Sequence, residues 1–301
     1  MTCSIGNVND GARPFRALVF AGSFVLALFP VEAEAASAEV EVPSKGSLFH
    51  PAPRGQMRRM FTDRPDKTEA PFTVDGGHFQ IEADILSFSH DQYNPDRTAT
   101  EVETVRIAPV NLKAGIGNNA DVQLLIEPYQ STRTHDLTAG VVQKDSGTGD
   151  LQIRTKWNVW GNDGGTTAFA VMPYVKYPTR ENQAGPVEGG AILPFAIDLP
   201  AGWSLGAMTE CDVVHDADED GHHLEFVNSI TFGHNLFGSL AGYVEFYSAV
   251  SAESGSDWAG TVDVGLTYRL TEDIQLDAGV NLGVTRSADD VNPFIGMSWR
   301  F

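Results

Sequence analysis

The sequence predicts an all-β protein, a transmembrane antiparallel up-and-down β-barrel of about 12 strands. From residue 78 onward, segments of roughly ten residues alternate apolar and polar side chains, the two-residue period of a strand with two different faces. The connections between these segments are alternately longer and shorter, which is typical of bacterial outer-membrane barrels. The chain also ends on Phe301, the last residue of an alternating segment.

The first 35 residues predict a cleaved secretory signal peptide. Arg13 and Arg16 precede the apolar run 17–29, which is too short to cross a bilayer core of ~30 Å as a helix. Pro30 ends this run, and the small-x-small sequence at 33–35 offers a cleavage site. The protein is therefore expected to cross the inner membrane and to reach the bacterial outer membrane.

The chain changes character at about residue 76. Residues 36–75 contain several prolines and many charges without a sustained period, which predicts an irregular periplasmic lead. Residues 76–301 are predicted to form the barrel. The predicted strands are 78–89, 101–114, 121–129, 151–160, 167–175, 187–199, 203–213, 222–232, 238–248, 258–270, 274–285 and 291–301. The longer connections between them are 90–100, 130–150, 176–186, 214–221, 249–257 and 287–290.

The segment 101–114 has the weakest alternation of the twelve. Arg106 falls on its apolar parity, whereas Glu103 falls on the polar parity. A β-bulge near Ala108 and Pro109 would restore the alternation, because one extra residue moves the following side chains to the opposite face.

A membrane barrel carries apolar side chains outside and polar side chains inside, which inverts the polarity of a soluble barrel. The apolar parity here is long and nearly free of charge, and aromatic residues lie on it near strand ends. We therefore expect contact with outer-membrane lipid and lipopolysaccharide. Trp299 and Phe301 are predicted to form the signal by which the barrel assembly machinery recognises the last strand.

The polar parity is predicted to face the lumen. The residues assigned to the lumen lining are Glu82, Asp84, Glu127, Arg154, Lys156, Glu210, Asp212, Glu225, Tyr243, Glu245, Asp263, Arg269, Asp277 and Arg300. Acidic residues outnumber basic ones in this set, so a wet lumen should favour cations. The charges would either pair across the lumen and plug it in part or line a channel.

The overall charge excludes one class of partner. The chain carries 40 acidic and 20 basic residues, a formal net charge of −20. Nucleic-acid binding needs clustered cations and is not expected.

Several blocks of sequence resemble one family. They are 62–82, 221–236, 276–283 and 292–301, and the similarity extends from about residue 62 to the C-terminus. The chain resembles the bacterial outer-membrane transporter family associated with meta-pathway phenol degradation. The resemblance implies an outer-membrane barrel that passes small-molecule solutes, with aromatic compounds as candidates, and it implies no catalytic residues.

Passive passage of small solutes is therefore the expected function, and two alternatives stay open. One is an outer-membrane barrel enzyme of the lipase or protease type, although no Gly-x-Ser-x-Gly sequence occurs. The other is a structural barrel with a plugged lumen. The acidic, histidine-containing loop 215–223 starts like a calcium loop but lacks glutamate at its twelfth position. It is interpreted as a solvated outer loop, and no metal or cofactor is expected.

Overall fold

A computed structural model of the chain describes residues 46–92, 99–179, 186–216, 221–253 and 255–301. The predicted signal peptide 1–35 and the first part of the lead, 36–45, lie outside the described residues. In the described part, two 3-10 turns, Arg54–Gln56 and Pro200–Gly202, accompany the strands, and no helix is long and apolar enough to cross a membrane.

The described residues form fifteen strands in one antiparallel sheet that closes on itself through pairing of the first strand with the last. The strands are β1 (Phe79–Asp91), β2 (Thr100–Ile107), β3 (Val110–Gly115), β4 (Ala120–Ile126), β5 (Tyr129–Asp136), β6 (Val141–Gly147), β7 (Leu151–Trp160), β8 (Thr167–Tyr177), β9 (Glu188–Asp198), β10 (Trp203–His215), β11 (His222–Phe237), β12 (Leu240–Ser251), β13 (Ala259–Arg269), β14 (Ile274–Gly283) and β15 (Val291–Arg300).

Six of these strands combine in pairs, and each pair is one barrel strand with a single interruption. Both β2 and β3 pair with β1, while β4 pairs with β3 and β7, and β5 pairs with β2 and β6. Counting β2–β3, β4–β5 and β6–β7 as one barrel strand each leaves twelve. The predicted fold class, a closed antiparallel barrel of about 12 strands, is confirmed.

The predicted bulge lies at the first interruption. Ala108 has a φ of 54°, a left-handed conformation that a non-glycine residue rarely adopts, and the Pro109 carbonyl accepts a hydrogen bond from the Asp84 N–H at 3.0 Å. The register of β1 also shifts between Asp84 and Leu86. The extra residue therefore changes which face the following side chains occupy.

The bulge corrects two assignments of the simple alternation. Arg106 pairs with buried Ser87 and so lies on the interior side of the wall, although its sequence parity is apolar. Glu103 is on the exterior side, because its neighbour Thr104 is buried opposite Ser89. A simple count by parity is reliable only up to such an interruption.

The segment 130–150, expected to be a long loop, instead contains the hairpin of β5 and β6. The sequences of these strands, YQSTRTHD and VVQKDSG, show no contrast between an apolar and a polar face. Alternation predicts a strand only where its two faces meet different media. This hairpin extends the wall on the side away from the chain terminus, where both faces carry polar side chains.

The barrel has the polarity of a membrane protein. Large apolar side chains on its outer side are exposed, including Ile85, Trp157, Leu266 and Ile295, whereas much of the buried set is polar or charged. Closure of the sheet pairs the backbone groups that lipid could not satisfy. A wall of this kind requires an interior that satisfies charge.

The first and last strands meet at the chain terminus. The Phe79 N–H donates to the Phe301 carbonyl at 3.1 Å, and the Phe301 N–H donates to the Phe79 carbonyl at 2.9 Å. Their rings stack with centroids 5.9 Å apart, and the Trp299 ring lies 4.9 Å from that of Phe301. The terminal residue therefore belongs to the seam that closes the barrel, and its role as an assembly signal stays a prediction.

Deletion of Phe301 should lower the amount of folded barrel in the outer membrane. The deletion removes two seam hydrogen bonds and two aromatic contacts, and burial of a Phe side chain contributes only about 1.5–3 kcal/mol. A much larger loss of outer-membrane protein would therefore indicate defective assembly, measured as the fraction with heat-modifiable mobility in membrane extracts.

The matched control is Phe246→Ala. Phe246 is 41% exposed and Phe301 is 39% exposed, but Phe246 lies within β12, away from the seam. Equal losses for the two variants would argue against a special role for the terminus.

Candidate functional site

The irregular segment 58–75, here called the plug, lies inside the barrel. Its side chains and backbone contact strands on all sides of the wall: β1, β3, β7, β11, β12, β13 and β14. The sequence predicted an irregular lead in the periplasm. The described part of that lead is irregular, but 58–75 occupies the lumen, because its charges find their partners there.

Asp75, the last residue of the plug, pairs with Arg58 at its start and with Arg300 on the last strand. Its carboxylate pairs with Arg58 Nε at 2.8 Å and with Arg300 Nη1 at 3.4 Å, while Arg300 also pairs with Asp273 at 2.7 Å. The two ends of the plug therefore meet beside the last strand, and the segment between them enters the lumen and returns.

The Asp63 carboxylate forms the centre of the network on one side of the lumen. It pairs with Lys156 Nζ on β7 at 2.6 Å and with Lys113 Nζ on β3. Lys113 also pairs with Glu82 on β1, and Glu82 Oε2 accepts a hydrogen bond from the Asp63 N–H at 3.0 Å. All four side chains are almost wholly buried, so each charge depends on the others.

Arg64 contacts β1 and also β14, which lies on the other side of the seam between the first and last strands. Its guanidinium pairs with Asp277 on β14 at 2.6 Å and with Asp84 on β1 at 2.7 Å, and it lies 5.7 Å from the ring centre of Phe294. Gly296 makes room for it, because a Cβ there would overlap the guanidinium. Adjacent residues of the plug thus share contacts to β1 and anchor the plug to β3 and β7 in one direction and to β14 in the other.

The tip of the plug comprises Lys67, Thr68 and Glu69. Lys67 Nζ lies 3.3 Å from Asp263, and the Thr68 N–H donates to Glu245 at 2.8 Å. Thr68 Oγ1 and Ser229 Oγ are 2.6 Å apart. Glu69 pairs with Arg154, and its N–H lies 3.4 Å from Met208 Sδ.

Wall side chains satisfy the backbone of the returning limb. Asn158 donates to the Pro71 carbonyl at 2.8 Å, Asn162 accepts from the Thr73 N–H at 3.1 Å, and Asp121 accepts from the Val74 N–H at 3.0 Å. Buried backbone groups outside regular secondary structure need such partners. The plug is therefore held by side-chain contacts rather than as a strand of the wall.

The residues predicted to line the lumen fall into two groups. Those that contact the plug are Glu82, Asp84, Arg154, Lys156, Glu245, Asp263, Asp277 and Arg300. Those placed elsewhere on the buried or half-buried side of the wall are Glu127, Glu210, Asp212, Glu225, Tyr243 and Arg269. The contacts describe the position of these residues, and their role in passage stays a prediction.

A cavity of about 400 Å³ adjoins the plug where the three barrel strands are interrupted. Among the described residues, its acidic lining is Asp63, Asp66, Glu69, Glu82, Asp84, Glu127 and Asp150, and its basic lining is Arg64, Arg154 and Lys176. Pro109 and Val110 at the β2–β3 interruption also contribute. The cavity is large enough for a small solute, and its lining has more carboxylates than cations.

An apolar strip lies on the interior side of β8 to β11. Met172, Ile192, Met208 and Val227 are buried together there, with Tyr174 and Tyr247 packed against them. Sequence reasoning missed this strip because its members lie on the polar parity, among charged neighbours. Glu69 touches both Met208 of the strip and Arg154 of the cavity lining.

Burial and neighbouring charges change the pKa values of three carboxyl groups of the plug, those of Asp63, Asp66 and Glu69. Burial raises the pKa of Asp66 to about 7 and that of Glu69 to about 7, because neighbouring carboxylates add to the loss of solvent. Burial also opposes the ionisation of Asp63, but the ammonium groups of Lys113 and Lys156 outweigh it and hold the pKa of Asp63 well below its usual range. Asp63 therefore stays charged while Asp66 and Glu69 titrate near neutrality.

The loop 215–223 is described only in part, since 217–220 lie outside the described residues. His223 Nδ1 lies 2.6 Å from Asp216 Oδ1, and the rings of His215 and His222 lie 5.4 Å apart across the β10–β11 pair. The expectation that no metal binds there stays a prediction.

The fold and the lumen define a class of protein: an outer-membrane β-barrel with a polar lumen and an internal plug. Residues 62–301 match the family described as "Putative MetA-pathway of phenol degradation", and the chain belongs to this family. The resemblance inferred from the sequence blocks is confirmed. The comparison with curated proteins finds no match.

Solved structures share the fold at low sequence identity. An outer-membrane channel from Pseudomonas putida F1 is 10% identical with a TM-score of 0.58, covering 80% of this chain and 100% of the channel. The transport unit of the Escherichia coli autotransporter AIDA-I is 10% identical with a TM-score of 0.51, covering 80% of this chain and 93% of that unit. At this identity the likeness establishes the barrel fold.

Replacing Asp63 by asparagine should loosen the plug. The Asp63→Asn variant leaves Lys156 buried without its carboxylate, and breaking a buried ion pair costs about 3–5 kcal/mol. Trypsin should cleave after Lys67 faster than in the wild-type protein, as measured by mass spectrometry of the purified barrel in detergent.

The control for this variant is Glu188→Gln, which removes the more exposed Lys176–Glu188 pair of the wall and should leave cleavage unchanged. If Asp63→Asn is as resistant as the wild type, Asp63 does not anchor the plug.

The binding of the plug inside the lumen is here called seating. Raising the pH should weaken seating. A plug withdrawn into water would have carboxyl pKa values near ~4, so the seated plug binds more protons between pH about 4 and about 7. Seating is therefore favoured below this range and loses free energy as Asp66 and Glu69 ionise. We expect channel openings in planar bilayers to be more frequent at pH 8 than at pH 5. The Asp66→Asn/Glu69→Gln variant should show a flatter profile, and a wild-type profile that falls with pH would contradict the assignment.

Proposed function

We propose that this protein is a passive channel of the bacterial outer membrane for small solutes, and that the plug must move for a solute to pass. The observation that carries the proposal is how the plug is held. In the described residues it has no strand pairing with the wall, and most of its polar contacts are ion pairs and hydrogen bonds to wall side chains. Such contacts exchange with water, so the plug can leave without opening the sheet.

The lumen suggests the class of solute. The apolar strip with Tyr174 and Tyr247 suits aromatic or other amphipathic molecules, because tyrosine rings offer stacking faces. The acidic excess around the cavity favours cations over anions. We therefore propose small amphipathic solutes, neutral or cationic, as the cargo. Membership of a family named for phenol degradation agrees with aromatic solutes.

We propose that the protein is inserted into the outer membrane by the barrel assembly machinery. Lipid and lipopolysaccharide would then surround the exposed apolar side chains of the outer wall, here called the apolar belt. The formal net charge of −20 does not favour nucleic acid as a partner.

One observation favours a second candidate, a structural barrel with a permanent plug. The contacts of the plug to separate strands of the wall would also stiffen the barrel. The two functions differ in whether the plug moves.

Locking the plug with a disulfide tests the proposal. Thr68→Cys and Ser229→Cys place two thiols where the hydroxyls are 2.6 Å apart, with Cys211→Ser removing the exposed native thiol. In liposome swelling, the reduced protein should admit phenylalanine faster than leucine and lysine faster than glutamate. Oxidation should slow swelling several-fold, and reductant should restore it.

The control joins two wall strands without touching the plug. Thr104→Cys with Thr132→Cys, whose hydroxyls are 3.2 Å apart, should leave swelling unchanged on oxidation. Absence of swelling by the reduced protein with any solute would reject the channel in favour of the structural barrel. Swelling unaffected by the Thr68–Ser229 lock would show that solutes pass a seated plug.

A further inference from the structure

Beyond the interruptions, β2, β5 and β6 form a part of the wall that is here called the extension. Four potential metal ligands lie close together on the extension and the adjoining end of β1. His90 ends β1, Glu101 and Glu103 lie on β2, and His135 lies on β5. The ligand atoms of His90, Glu101 and Glu103 all lie within 4.8 Å of one another. His90 Nδ1 is 3.8 Å from Glu101 Oε1, and His135 Nδ1 is 3.4 Å from Glu101 Oε2.

The strand register places this cluster on the outer side of the wall. His90 pairs with Glu103, and Glu101 pairs with His135, whereas the alternate pair of Ser89 with Thr104 is buried. The four side chains are between about a quarter and a third exposed. The cluster is therefore separate from the plug and the lumen.

The rows of paired residues show where the cluster lies relative to the apolar belt. On the same outer side, Leu86 pairs with Ile107, and Ile107 pairs with Tyr129, forming an exposed apolar row. The next row contains Phe88 and Val105. The cluster begins in the row after that, so it lies just beyond the apolar belt, where water reaches it.

We propose that His90, Glu101 and Glu103 form a binding site for a divalent transition-metal ion such as Zn²⁺, with His135 as a fourth ligand. Imidazole nitrogen and carboxylate oxygen are ligands that zinc takes at about 2.0–2.2 Å. Ligand atoms around a tetrahedral ion then lie roughly 3.3–3.5 Å apart. The separations of 3.8 Å for His90–Glu101 and 3.4 Å for His135–Glu101 are close to this spacing, and the ligand atoms of His90, Glu101 and Glu103 lie within 4.8 Å of one another. Side-chain rotations would bring these three ligands, and then His135, to one ion.

Arg133 competes with the metal for one ligand. Its Nη1 donates to Glu103 Oε2 at 3.0 Å, and the Arg133 side chain is 51% exposed. Because an exposed pair of this kind contributes little stability, a metal ion can displace the guanidinium. The site thus predicts opposite effects for two neighbouring substitutions. Loss of a ligand weakens metal binding, whereas loss of Arg133 strengthens it.

The ion would join the end of β1 to β2 and β5. Because the metal site lies on the outer side of the wall, metal binding does not involve the contacts between the plug and the lumen. The proposal therefore does not depend on the channel function.

The test is titration of the purified, detergent-solubilised protein with Zn²⁺ by calorimetry, with Co²⁺ absorption as a report on ligand geometry. The background carries His215→Ala and His222→Ala, which removes the other pair of neighbouring histidines. We expect one site whose Kd rises at least about tenfold in His90→Ala and in the isosteric Glu101→Gln. Arg133→Gln should lower the Kd, and His135→Ala should alter the Co²⁺ spectrum.

The matched histidine control is His234→Ala. His234 packs against Trp203 at 4.5 Å between ring centroids, outside the cluster, and its loss should leave Zn²⁺ binding unchanged. Heat-modifiable mobility reports whether each variant is folded. The proposal is overturned if Zn²⁺ does not bind at up to millimolar concentration, or if binding is the same in folded His90→Ala and Glu101→Gln.

Discussion

The pairing of buried charge is the constraint on which the rest of this structure depends. A barrel with an apolar exterior directs its polar side chains inward, and ionised groups away from bulk water need partners. Asp63 meets this need for Lys113 and Lys156, and Arg64 meets it for Asp84 and Asp277. Without the plug, these wall charges would require water or ions in their place. The plug therefore pairs with the charges of the lumen wall and also occupies the lumen.

The same constraint explains why the plug is polar and irregular. An apolar plug would leave the wall charges unpaired, and a regular strand would need a neighbouring strand to bond its backbone groups. Here the backbone of 71–74 is bonded by wall side chains such as Asn158 and Asp121. Gly296 and Gly115 allow the close approach, since a Cβ at either would overlap the plug. Seating therefore depends on buried ion pairs together with many hydrogen bonds from wall side chains.

The three interrupted strands give the barrel two unlike ends. Between the interruptions and the chain terminus, the wall surrounds the plug. On the other side of the interruptions, β2, β5 and β6 form the extension, which has polar side chains on both faces. The cavity lies at the interruptions, between these two regions, where Pro109 and Glu127 contribute to its lining. The outer cluster around Glu101 lies on the extension. Passage of solute and binding of metal are therefore assigned to different parts of one wall.

The sequence by itself determined the barrel, its strand number, its apolar exterior and its family, because each of these follows from local alternation or from contiguous blocks of residues. Alternation also put Glu82, Asp277 and Arg300 on the polar face. Only the tertiary structure decided that the charged run 62–69 enters the lumen, because its partners on the wall lie between 19 and 213 residues away along the chain. The broken alternation of 101–114 indicated a bulge near Ala108 and Pro109, but only the structure decided that the bulge leaves Glu103 on the outer face and Arg106 on the inner face.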